Sequence, residues 1–126
     1  MTTCVPVSRG GMPSTKAIEF TDVKTAYVIA NLSKVNTEGQ FTCEKPGFYL
    51  ISAFVMSELS NAHMFVYKNT KEIAHGHFGS GTYNTCSLTV FEQLSFGDTI
   101  SVNINGQKYV TWFGNKQTCL SVLKIN

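Results

Sequence analysis

Charge is scarce in this sequence. Asp, Glu, Lys and Arg make up 14% of its 126 residues, against about a quarter in an average soluble chain. The net charge is only +2, and Lys and Arg form no cluster, which excludes the electrostatic footprint of a nucleic-acid binder. The one basic pair, Lys68 and Lys71, flanks a turn signal at Asn69-Thr70. Long apolar runs are missing too, and nothing approaches the ~20 residues of a membrane helix. The first residues, MTTCVPVSRGGMPST, hold no apolar stretch of signal-peptide type. Either a signal has been removed, or export does not use that route.

Cysteine is present but not in metal or redox spacing. Cys4, Cys43, Cys86 and Cys119 are far apart, with no CxxC pair, and four cysteines allow three intrachain pairings. Cys43, Cys86 and Cys119 stand among alternating apolar residues and read as buried free thiols. Cys4 stands outside any strand pattern and is the residue placed for an interchain disulfide.

Helical periodicity is also lacking, while Val, Ile, Thr, Phe and Tyr recur between turn residues. Residues 1–16 read as an irregular leader and 17–126 as one globular domain. Strands are expected at Ala17–Phe20, Tyr27–Leu32, Phe41–Cys43, Phe48–Met56, Met64–Tyr67, Ile73–Phe78, Thr85–Leu94, Thr99–Ile104 and Thr118–Ile125. Phe48–Met56 is apolar enough to be buried on both faces. In Thr99–Ile104, Ile100, Val102 and Ile104 alternate with polar residues, as in a half-buried strand. Eight to ten strands at this spacing make an all-β sandwich or jelly roll, and a ten-stranded jelly-roll sandwich is the expected fold. Successive antiparallel strands exchange ends, so the loops at Ser57–Ala62, Gly79–Asn84 and Asn105–Lys116 should gather at one end. The turns at Asn69 and Gly97 should gather at the other.

Three segments carry a family pattern: GQFTCEKPGFYLISAFV with Gly39, Phe41, Cys43, Pro46, Gly47 and Tyr49; HMFVYKNTKEI; and LSFGDTISVNI. Together they resemble the globular head of complement C1q over roughly residues 17–125. Ile51 and Ala53 replace the usual aromatics after Tyr49, Glu92 stands where an apolar residue is usual, and Cys119-Leu120-Ser121 replaces the usual Phe-x-Gly. The resemblance implies a secreted, compact trimer built around one sheet, an architecture shared with the tumour necrosis factor superfamily. Stand-alone relatives of this type are often lectins of innate immunity that recognise acetylated amino sugars or sialic acids. A trimeric protein ligand for a receptor is the other reading the resemblance implies.

Catalysis has no support, since no nucleophile elbow, HExxH or phosphate loop occurs. His75 and His77 alternate on one strand and share a face, but no third ligand follows at a recognisable spacing, so no metal is expected. No cofactor is expected either. Calcium, which some members of the family bind, would fall to Asp22, Glu38, Glu44 and Asp98, which stand apart in the sequence; Asp98 suits a turn cap. A sugar site needs a flat apolar surface with neutral donors and acceptors. The loop NGQKYVTWFGNKQ supplies Tyr109, Trp112, Phe113 and Asn115, and Tyr83 and Asn84 come from the loop that parity places beside it. These six residues are the expected glycan contacts. Asn31-Leu32-Ser33 is a glycosylation sequon.

Overall fold

The computed structural model describes residues 2–13, 17–25, 40–58, 62–81, 83–105, 109–114 and 116–125. The expected strand at Tyr27–Leu32, the turn at Asn36–Gly39 and the Asn31 sequon lie outside them.

Among the described residues the chain is all β. Its strands are β1 (Thr2–Cys4), β2 (Arg9–Pro13), β3 (Asp22–Thr25), β4 (Phe41–Thr42), β5 (Gly47–Ser57), β6 (His63–Lys68), β7 (Lys71–His77), β8 (Asn84–Leu94), β9 (Thr99–Asn105), β10 (Tyr109–Trp112) and β11 (Cys119–Lys124). They form a five-stranded sheet, β3-β1-β11-β5-β8, and a four-stranded sheet, β4-β9-β6-β7, with a β10-β2 ribbon beside them. This is a jelly-roll sandwich, with eleven described strands where the sequence suggested ten.

Alternation builds the core. In β5, Tyr49, Ile51, Ala53 and Val55 are buried. From the facing sheet come Met64 and Val66 of β6 and Ile100, Val102 and Ile104 of β9. The other face of β5 is only half-buried, and Phe48 is exposed. Burial of both faces, expected from the apolar run, is therefore not met within one chain.

The N-terminal segment also departs from expectation. Residues 2–4 are not a leader but a strand inside the five-stranded sheet, paired with β11 on one side and β3 on the other. Thr3 is fully buried, and its hydroxyl donates to the carbonyl of Phe20. That bond satisfies a polar group that would otherwise oppose burial. Ala17–Phe20 is not a ladder strand, although Ile18 and Phe20 are fully buried and the Ile18 amide donates to Val102. The cysteine expectations are corrected as well. Cys4 is directly opposite Cys119 in the β1–β11 register and is disulfide-bonded to it within the chain. Cys4 therefore has no thiol left for an interchain bond, and Cys119 is not free. Cys43 and Cys86 are free and buried, as read from the sequence. Burial pushes the Cys86 thiol up in pKa, which favours its unreactive form.

Tyr49 anchors the core at the start of β5. Its ring packs 5.9 Å from that of Phe41, and its hydroxyl donates to the Lys45 carbonyl at 2.5 Å. Burial, then the neighbouring Cys43 thiol, pushes the phenol up to about 12. An unfolded phenol loses its proton near pH ~10, so in that interval the folded state holds a proton the unfolded state has released. Stability should therefore fall as pH rises from 10 towards 12. Urea midpoints measured from pH 9 to 11.5 should show this decline in the wild type, and a weaker decline in Tyr49→Phe.

Candidate functional site

The end-exchange argument holds where the chain is described. At one end Ser57 pairs with Asn84, and the Phe113 amide donates to the Met56 carbonyl at 3.1 Å. The rings of Tyr83 and Phe113 meet edge-on at 5.7 Å. Asn84 uses its side-chain amide on the Gly81 carbonyl. Gly114 is pinned against the N-terminal segment: its amide donates to Ser8, and an added Cβ would lie 2.6 Å from the Val7 backbone. Of the six expected glycan contacts, Tyr83, Asn84 and Phe113 are thus drawn to one end. Tyr109 and Trp112 are strand residues, paired through their backbones with Pro13 and Arg9. Asn115 lies outside the described residues. At the opposite end Asp98 caps its turn, accepting from the Ser95 amide and from Asn69 of the β6–β7 hairpin. The Asn69 bond, and then the Ser95 bond, hold its carboxyl below the usual range. Of the four acids considered for calcium, Asp98 is therefore committed to joining two turns, and Glu38 lies outside the described residues.

A second surface was not foreseen. On the solvent face of β6 and β9 lies an open groove of about 450 Å³. Phe65 and Tyr67 form its apolar wall, their rings 6.1 Å apart and inclined by 28°. Facing them, Asn103 is opposite Phe65 and Ser101 opposite Tyr67. Asn105, Asn69 and Thr70 complete the lining. No charged side chain lines the groove. Asn69 is held by its turn: it sits at φ 56, and its side-chain oxygen accepts from the Thr99 amide. The groove therefore offers flat hydrocarbon surface beside neutral amide and hydroxyl groups.

The histidines extend this face. The sequence placed His75 and His77 together, and the structure adds His63 from β6, directly opposite His77. His63 Nδ1 and His75 Nε2 are hydrogen-bonded at 2.8 Å. The His77 ring meets His63 edge-on at 4.6 Å, and His75 packs on Phe65 at 4.4 Å. As these side chains stand, no three His, Cys, Asp or Glu groups among the described residues surround a metal position.

The solved structures similar to this chain share its sandwich. The globular domain of zebrafish complement 1qA protein superposes with a TM-score of 0.74, covering 99% of this chain and 95% of that one at 13% identity. The chain has the C1q/TNF fold. Murine APRIL matches with a TM-score of 0.70, 15% identity and coverage of 99% and 100%. The Eiger TNF of S. frugiperda matches at 0.61, with 11% identity and coverage of 95% and 92%. No family model and no curated protein sequence matches the chain. The C1q/TNF architecture is thus shared at low sequence identity.

Proposed function

We propose that this C1q/TNF-type chain is a secreted, trimeric recognition protein that binds neutral or N-acetylated sugars and catalyses nothing. The observation that carries the reading is the groove on β6 and β9. A pyranose ring presents an apolar face and a hydroxyl-rich rim, and acetamide groups need amide partners. Phe65 and Tyr67 suit the first; Asn103, Asn105 and Ser101 suit the second.

Assembly would use the five-stranded sheet. Its solvent face carries exposed Phe48, Phe91, Leu123 and Ile125, with Phe48 and Phe91 stacked at 5.6 Å. Apolar side chains gathered this way favour a protein interface. Three copies packed on that sheet would leave the groove sheets facing outward. Weak single sites would then act together on a glycan-bearing surface. The intrachain disulfide fits an oxidising, extracellular setting.

The test is glycan-array binding with light scattering for assembly size. Tyr67→Ala should keep the wild-type size and lose at least about tenfold in affinity, the scale of one well-packed aromatic contact. Phe113→Ala tests the loop end expected from the sequence. If Phe113→Ala abolishes binding while Tyr67→Ala does not, the site belongs to the loop end. A well-folded trimer that binds no glycan would favour a protein receptor as the ligand.

A further inference from the structure

We propose that His63, His75 and His77 form a binding site for a divalent transition metal of the zinc class on the solvent face of β6 and β7. The inference is independent of the carbohydrate reading.

It begins with strand geometry. Two histidines separated by one residue project from the same face of a strand. A third histidine on the neighbouring strand, directly opposite one of them, brings three imidazoles to one patch. β7 supplies His75 and His77, and the register places His63 opposite His77. All three histidines of the chain are used. Three imidazoles and one open position are a ligand set that Zn²⁺ accepts, and imidazole also suits copper and nickel.

The distances are already short. His63 Nδ1 and His75 Nε2 are 2.8 Å apart. Two imidazole nitrogens bound to one tetrahedral zinc at ~2.0 Å stand ~3.3 Å apart. A shift of about half an ångström, with the proton between them moved to the other nitrogen of its own ring, therefore changes a hydrogen-bonded pair into two neutral imidazole ligands. His77 completes the set by turning from its edge-on contact with His63. The rings have room to turn: His75 and His77 are exposed and His63 is half-buried. In the arrangement described, the rings satisfy one another through the His63–His75 hydrogen bond and the edge-on contact of His77 with His63. The fourth position opens towards solvent near the groove, since Asn105, which lines the groove, is opposite His63 on the other side of β6.

The experiment uses untagged, chelator-treated protein without any sugar. Zn²⁺ is titrated calorimetrically, and Co²⁺ is titrated optically to read its coordination. The expected result is one metal per chain at pH 7.5, with binding lost at pH 5 because a protonated imidazole cannot ligate. His63→Gln, His75→Gln and His77→Gln should each weaken Zn²⁺ by roughly 100-fold or more, since even outer contacts of a metal site are worth ~10–100-fold. Circular dichroism checks that each variant is folded. Should one not fold, the pH dependence and the Co²⁺ spectrum of the wild type still decide. Absence of saturable binding at millimolar Zn²⁺ would overturn the proposal. So would binding that persists at pH 5, or full affinity in any folded single variant. None of these results bears on the glycan array.

Discussion

Replacing Cys4 and Cys119 together by serine is expected to lower the unfolding free energy by about 3–5 kcal/mol. The bond joins residues 115 apart in sequence. It therefore denies the unfolded chain nearly all of its end-to-end freedom, and long closed loops gain most from such a link. The folded side changes little, since β1 remains held by ladder bonds to both β11 and β3. A loss of this size corresponds to roughly 10–20 °C in Tm for a domain of this length. The check is a pair of melts, wild type and double variant, at one protein concentration with and without reductant. Reductant should lower the wild-type Tm to that of the variant and leave the variant unmoved. On a non-reducing gel the wild type should run as a single chain. A covalent dimer that the double variant does not form would show that Cys4 or Cys119 pairs outside the chain.

The second large effect is expected at Gly76. This residue of β7 is opposite Met64 and faces the edge of the five-stranded sheet. A Cβ there would stand 2.5 Å from the Cys86 sulfur and 3.1 Å from Leu88. Gly76→Ala should thus force the two sheets apart locally and cost about 1–3 kcal/mol, the range of overpacked cores. Cys86→Ala removes the atom in the way. It should be mildly destabilising alone, yet restore much of the loss when combined with Gly76→Ala. Urea unfolding of the four proteins gives the coupling energy, expected at about 1 kcal/mol or more. Additive losses would mean that the sulfur is not what excludes the methyl group.

These features were unevenly legible in the sequence. The alternation of Ile100, Val102 and Ile104 showed both strand and inward face, because period-two burial leaves a direct trace. The loop parity followed from strand count alone, and the Tyr83–Phe113 contact bears it out. β1 left no trace: Thr2-Thr3-Cys4 is short and polar, and only its partners make it a strand. The groove was hidden for another reason. Met64–Tyr67 is uniformly apolar, so composition could not separate the inward Met64 and Val66 from the outward Phe65 and Tyr67. The histidine cluster depended on a single irregularity. A regular two-residue hairpin at Asn69-Thr70 would set His63 opposite Gly76, on the face away from His75 and His77. A register shift between Val66 and Tyr67 moves the pairing by one residue and puts His63 opposite His77. Bulges of this kind have weak sequence signals.

The pairing of β1 with β11 also fixes the order in which the protein can be finished. The β6–β7 hairpin can close as soon as it is made, but Thr2–Cys4 has no β11 to pair with until Cys119–Lys124 has been synthesised. At ~5–20 residues per second that delay is on the order of ten seconds. Throughout it the Cys4 thiol meets Cys43 and Cys86 before it meets its own partner. Correct oxidation therefore depends on those two thiols being buried by folding around β5 and β8 before the sheet receives its earliest-made strand.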